Sequence, residues 1–176
     1  PVFIGVSSDL EAAGNIIDAL DATEGKEGVI LANVAPRHGN VKRWNNGTPF
    51  GYFWYRKTLV VSTIDGLTLS LVKKFKLTGH ISVLDISKTL DKLTELQNNP
   101  LELGESITNS QFRSYDFLPR IAVSILNGTK VPNDKLNIDE VPTAPSAIWW
   151  IDNFGNCKTT ILPEEITSKM NGLVQT

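Results

Sequence analysis

The spacing of apolar residues changes several times in the amino-terminal part of the chain, and each change indicates a new strand or helix. VFIGVSS, residues 2–8, is apolar and β-branched, which predicts a strand. LEAAGNIIDALDA, residues 10–22, repeats apolar side chains every three or four positions and predicts a helix capped by Ser8 or Asp9. GVILANVAP, residues 28–36, returns to strand character. This order predicts a βαβ unit with parallel strands.

The middle of the chain continues with strand and helix patterns. GYFWYRKTLVVST, residues 51–63, predicts two strands with a turn near Arg56, and a further turn follows at residues 65–66. HISVLDIS, residues 80–87, predicts another strand. KTLDKLTELQNN, residues 88–99, predicts a polar helix.

A further helix is predicted at YDFLPRIAVSILNG, residues 115–128. Asp116 is expected to cap this helix, Pro119 to lie in its first turn and Gly128 to close it. Residues 130–147 contain several prolines and are typical of a connector without regular structure.

The last patterned stretch is IWWIDNFGNCKTTI, residues 148–161, which predicts a hairpin around an Asp-Asn-Phe-Gly-Asn corner. The whole pattern predicts an α/β protein with a mainly parallel sheet flanked by helices. We place this domain at residues 1–142 and a short carboxy-terminal β unit at residues 146–176.

Composition narrows the class of protein and of partner. The 176 residues suffice for one domain with a sizeable core, and the single cysteine, Cys157, forms no disulfide within the chain. No leader pattern opens the sequence and no apolar run reaches the roughly 18 residues of a membrane helix, so we expect a cytoplasmic protein without a membrane partner. The net charge of -2 argues against nucleic acid. Small molecules and other proteins are the expected partners.

Four stretches share the motifs and the order of one family. They are ILANVAPRHGNVKR, TLVVSTIDGLTLSLV, QFRSYDFLPRIAVSILNG and IWWIDNFGNCKTTI. The last resembles the pattern isoleucine-aspartate-x-phenylalanine-glycine-asparagine of the S-adenosyl-L-methionine (SAM) hydroxide adenosyltransferases, relatives of the SAM-dependent chlorinases and fluorinase. The resemblance covers roughly residues 25–161. It implies that family's reaction, in which SAM and water give adenosine and methionine.

The resemblance implies ligand contacts at the hairpin corner. In that family, the aspartate and asparagine of the corner hold the amino-acid part and the adenine of SAM, and the phenylalanine packs against the ligand. By position these residues are Asp152, Asn156 and Phe154. A carboxylate pairs with an α-ammonium group, and a carboxamide offers a donor and an acceptor to a base edge. The alternative is turn chemistry alone, in which Asp152 bonds its own backbone.

Two alignments give Asp9 different roles. If VSSDL corresponds to the end of the family's first strand, Asp9 is the aspartate that holds the ribose hydroxyls. If it corresponds to the second strand, the first βα unit of the family is missing from the sequence and Asp9 only caps a helix. The following helix resembles the one behind the second strand, and both roles stay open at this point.

The catalytic pattern of the family is altered in this sequence. Its aspartate, arginine and histidine orient a water for attack on the C5′ carbon of SAM, and the aspartate is replaced by Ala35 and the histidine by Arg113. The arginine survives as Lys42 or Arg43. Neither alanine nor arginine acts as a base near neutral pH. Arg43 and His38 are the candidate catalytic residues, and the alternative for His38 is a solvated loop histidine.

Two functions follow from these residues. The first is an enzyme that hydrolyses SAM to adenosine and methionine, with SAM as substrate and no separate cofactor or metal. The second is a homologue without catalysis that binds SAM or adenosine, or serves as a scaffold. The resemblance also implies a homotrimer, because family members place the adenine pocket across a trimer interface.

Overall fold

The computed structural model describes residues 2, 4–34, 48–96 and 113–166 of the chain. Its helices and strands, in chain order, are α1 (Asp9–Ala22), β1 (Gly28–Ala32), β2 (Phe50–Tyr55), β3 (Thr58–Thr63), α2 (Ser70–Lys74), β4 (His80–Leu84), α3 (Ile86–Leu96), α4 (Arg113–Leu126), β5 (Asn133–Asn137), β6 (Ile148–Ile151) and β7 (Cys157–Thr159). Short 3-10 turns lie at Ile138–Glu140 and Pro163–Glu165.

Five strands form one mixed sheet in the order β1, β3, β2, β4, β5. Within the described strands, β1 and β3 pair in parallel and all other neighbours pair antiparallel. The prediction of a mainly parallel sheet flanked by helices is therefore wrong. The short link between β2 and β3 explains part of the error, because the two residues Arg56 and Lys57 can join only antiparallel neighbours.

The strand predicted before α1 is not formed. The described residues of that stretch, 2 and 4–8, lie outside any strand, and both Val2 and Ile4 are exposed. The parallel partner of β1 is instead β3, with Ile30 opposite Val60. The composition of residues 2–8 suits a strand, but a strand also requires a neighbour that pairs with it.

The predicted cap of α1 is confirmed at Ser8. The Ser8 hydroxyl accepts a hydrogen bond from the Glu11 amide at 3.0 Å. The hydroxyl and the amide of Ser7 both donate to the Glu11 carboxylate, and these bonds lower the pKa of Glu11 below its ordinary value. The two serines therefore provide hydrogen-bond partners both for a backbone amide in the first turn of α1 and for the acidic side chain of that turn.

Strand β3 lies at the centre of the core, and all six of its residues are buried. Leu59 and Val61 face a cluster with Phe117 of α4, whereas Val60 faces a second cluster with Ile16 of α1. Because both faces of β3 are covered, its apolar residues run continuously instead of alternating with polar ones. Each fully buried Val or Leu side chain contributes about 1.5–3 kcal/mol to stability.

The predicted helix at residues 115–128 is present, but its start lies elsewhere. Helix α4 begins at Arg113, so Asp116 is not its cap and Pro119 lies inside the helix. The end is confirmed at Gly128, which has a φ of 77°. The predicted connector also contains regular structure, since β5 pairs antiparallel with β4.

The predicted hairpin is confirmed as β6 and β7, and it packs against α1. The indole ring of Trp149 lies on the backbone at Gly14, where an added Cβ would overlap the ring. Lys158 forms an ion pair with Asp18, and its ammonium lies 5.4 Å from the Trp149 ring centroid and 5.3 Å from that of Trp150. Glycine at position 14 therefore allows the hairpin to contact the helix closely.

We expect Gly14→Ala to separate the hairpin from α1. Alanine favours the helix by about 1 kcal/mol, but overlap with an aromatic ring costs about 1–3 kcal/mol. The free energy of unfolding in urea should fall, and tryptophan fluorescence should shift toward longer wavelength. Gly79→Ala is the control, because no atom lies within 4 Å of its added Cβ. In a Trp149→Ala background, Gly14→Ala should stabilise the protein; destabilisation there would contradict this packing.

Candidate functional site

The tip of the β6–β7 hairpin is organised by one carboxylate. One oxygen of Asp152, Oδ1, accepts hydrogen bonds from the backbone amides of Phe154 and Asn156, both at 2.8 Å. Its other oxygen, Oδ2, accepts from the Asn156 side-chain amide at 2.7 Å. Gly155 has a φ of 86°, a conformation that glycine adopts without steric cost. The residue types of this turn thus determine its shape locally.

These contacts stabilise the ionised form of Asp152. The side-chain amide of Asn156, followed by the backbone amides of Asn156, Phe154 and Gly155, holds the pKa of the Asp152 carboxyl below its ordinary value. The carboxylate is therefore charged at neutral pH. A charged acceptor forms stronger hydrogen bonds with the Asn156 side chain and with the backbone amides of Phe154 and Asn156 than a protonated carboxyl would.

Phe154 projects from this turn, and 91% of its surface is exposed. Ile148, Trp150 and Ile151 of β6 are also exposed, whereas Trp149 contacts α1. The hairpin thus contacts the helix through Trp149 and leaves three other apolar side chains of β6 exposed. The Phe154 ring offers a flat apolar surface at the end of the hairpin.

The structure brings together three of the four residues predicted to bind ligand. Asp152, Phe154 and Asn156 lie on one turn, and Asp152 bonds its own backbone as the turn interpretation expects. A carboxylate accepts about four hydrogen bonds, and donors on the described residues occupy three of these positions on Asp152, which leaves one for a ligand. Within the described part of the chain, no donor reaches the side-chain carbonyl oxygen of Asn156, whereas its backbone carbonyl accepts from the Asp152 amide at 3.0 Å. The side-chain oxygen is therefore also available to a ligand.

Asp9 lies elsewhere and has a different contact. It is the first residue of α1, and its Oδ2 accepts a hydrogen bond from the Leu67 amide at 2.8 Å. Ser8 supplies the cap, so Asp9 is not the capping residue. Among the described residues, no hydrogen bond or ion pair links Asp9 to the hairpin tip. Asp9 instead connects α1 to the loop after β3.

The carboxyl ends of β1 and β3 form a polar edge that sequence reasoning missed. The Thr63 hydroxyl donates to the Val34 carbonyl at 2.7 Å and accepts from the Val34 amide at 3.1 Å. Asp65 is buried next to it, and its Oδ1 accepts from the Gly66 amide at 2.9 Å. Carboxyl ends of parallel strands commonly bind ligands in α/β proteins. The sequence signal was Asp-Gly after a buried strand, which indicated only a turn.

The candidate catalytic residues His38 and Arg43 lie outside the described residues, as do Ala35 and Lys42. Arg113, at the position of the family's histidine, is the first residue of α4. The proposed catalytic arrangement therefore stays a prediction.

Two further properties bear on the kind of site. In residues 2, 4–34, 48–96 and 113–166, no group of three or more His, Cys, Asp or Glu side chains is placed to hold a metal ion. None of the helices in these ranges is long and apolar enough to cross a membrane.

Comparisons with models of protein families, with curated proteins and with solved structures find no match to this chain. The resemblance to the SAM hydroxide adenosyltransferases is therefore a prediction from the residues themselves.

We expect acid to open the hairpin turn. The pKa of Asp152 is lowered in the folded chain, so its stabilisation is fully present above its unfolded pKa of about 3.9 and is lost as pH falls through the lower folded value. The amide chemical shifts of Phe154 and Asn156 should titrate together in NMR spectra, with one midpoint below 3.9. Asp152→Asn should abolish this shared transition. A midpoint at or above the ordinary value would contradict the observed hydrogen bonds.

Proposed function

We propose that this protein binds an adenosyl ligand, SAM or adenosine, at the tip of the β6–β7 hairpin. The observation that carries the proposal is the exposed Phe154 ring on a turn whose backbone is held by Asp152. An exposed aromatic ring on a fixed backbone loses little conformational freedom when a ligand covers it. Stacking of a base on such a ring contributes about 1–3 kcal/mol.

The polar atoms beside the ring suit the other parts of such a ligand. The side-chain carbonyl oxygen of Asn156 can accept from an exocyclic amine, while the side-chain amide nitrogen of Asn156 continues to donate to Asp152. The remaining acceptor position of Asp152 can pair with the α-ammonium group of SAM. Asp152 is ionised at neutral pH because Asn156 lowers its pKa, so this pairing needs no change of protonation.

The reaction implied by the resemblance is the hydrolysis of SAM. A water oxygen bonds to the C5′ carbon, the bond from C5′ to sulfur breaks with its electrons, and methionine leaves as the neutral thioether. The water also loses a proton. Since the sulfonium is already a good leaving group, the protein's task is to orient the water and accept that proton.

A second candidate function, ligand binding without catalysis, is favoured by two substitutions. Ala35 and Arg113 stand where the family has an aspartate and a histidine, and neither side chain accepts a proton. His38 is the residue that would have to replace them. The chain can therefore bind SAM without hydrolysing it, and binding and turnover need separate measurements.

Titration calorimetry with SAM and with adenosine tests the binding proposal. We expect saturable heat that Phe154→Ala weakens about tenfold or more, because the stacking surface is removed. Asp152→Ala should also weaken binding of SAM. Asn153→Ala is the matched control, since this residue lies on the same turn, is exposed, and makes none of the observed hydrogen bonds. Absence of heat with either ligand would overturn the proposal.

Chromatography of the same SAM mixture tests turnover. Adenosine and methionine appearing in equal amounts would establish the hydrolysis, and its loss in His38→Ala would identify the base. Bound SAM recovered intact would establish the binding function without catalysis.

A further inference from the structure

Among the described strands, none covers one edge of the five-stranded sheet. Strand β1 pairs with β3, and no other described strand pairs with it. Val29 and Leu31 of β1 are 43% and 42% exposed, although their partners on β3, Leu59 and Val61, are fully buried. The apolar face that β3 buries thus continues onto β1 and is left half exposed there.

The other edge strand of the same sheet, β5, carries charges that oppose pairing with another chain. Strand β5 has the sequence NDKLN, and all its residues except Leu136 are exposed. Asp134 and Lys135 place charges on that edge, which discourages pairing with another strand. Strand β1, with the sequence GVILA, contains no charge, no proline and no bulge. An edge of this composition is expected to be covered.

Helix α4 packs beside β1 and also has exposed apolar residues. It contacts both β3 and β1. Its residues Tyr115, Val123 and Leu126 are exposed, and their spacing places them on one side of the helix.

We propose that β1 pairs with β1 of a second copy of this chain, antiparallel and across a two-fold axis at Ile30. In this register Val29 lies opposite Leu31 of the partner subunit, so apolar side chains meet on the same face of the joined sheet. The backbone groups on the outer edge of β1, which no described strand pairs, then bond to those of the partner subunit. An interface of this kind is self-complementary and closes at two copies.

The charged residues before β1 favour antiparallel over parallel pairing of the two strands. Lys26 and Glu27 precede the strand directly. In the antiparallel register they lie opposite Val34 and Asn33 of the partner subunit, so no like charges meet. Parallel pairing would instead place each of these charges beside its own copy, which is unfavourable. The proposed pairing of β1 does not depend on the ligand proposed for the hairpin tip.

Sedimentation of the full chain over a range of concentrations tests the pairing. We expect a species of twice the 19.4 kDa chain mass. Leu31→Lys should weaken its formation about tenfold or more, because each dimer then contains two charges against an apolar residue. Phe75→Lys is the matched control: Phe75 is 43% exposed, follows α2 and should leave the mass unchanged.

A mixture of two variants tests the register itself. Val29→Glu and Leu31→Lys should each be monomeric alone, since a charge faces an apolar side chain. Mixed together, they should form a dimer in which the introduced glutamate faces the introduced lysine of the other chain. Circular dichroism of each variant shows whether it is folded, and recovery in the mixture also requires folded chains.

Three results would overturn the proposal. They are a single-chain mass at all concentrations, a mass of three chains as the resemblance implies, and a dimer that Leu31→Lys leaves intact. A mixture that stays monomeric would overturn the antiparallel register.

Discussion

Two threonines at the ends of β3 hold β1 in the sheet, and the rest of the fold depends on this contact. The Thr58 hydroxyl donates to the Lys26 carbonyl at 3.0 Å, two residues before β1. The Thr63 hydroxyl bonds both backbone groups of Val34, two residues after β1. Both threonines are fully buried. Parallel strands far apart in sequence have no turn to determine their register, so buried hydroxyls with defined partners supply it.

The position of the hairpin follows from that register through α1. Strand β1 follows α1, whose apolar side packs on the sheet, and Asp9 bonds the Leu67 amide after β3. Both ends of α1 are thus tied to the β1 and β3 pair. The outer side of the same helix presents Gly14 to Trp149, which places the hairpin and its tip. A change in the buried sheet would therefore move Phe154 although that side chain is itself exposed.

Local patterns were sufficient for most of the elements and insufficient for the sheet. The cap at Ser8, the hairpin of β2 and β3 and the Asp152 turn depend on neighbours in sequence, and the structure confirms each of them. Strand pairing depends on distant segments, so the stretch 2–8 could carry a strand pattern although its described residues, 2 and 4–8, lie outside any strand. For the same reason Asp65 indicated only a turn: its burial results from the arrangement of β1 and β3, which one sequence does not contain.

The turn interpretation and the ligand interpretation of the hairpin tip require different residues. Asp152 uses three of its acceptor positions to build the turn, and Gly155 supplies the positive φ, so both would be needed in a turn with no function. Phe154 contributes only its backbone amide to the turn, and any residue except proline has that amide. A polar side chain would satisfy this position without exposing an aromatic ring to water. The phenylalanine is therefore the part of the tip that turn chemistry leaves unexplained, and a ligand or partner that covers its ring would explain it.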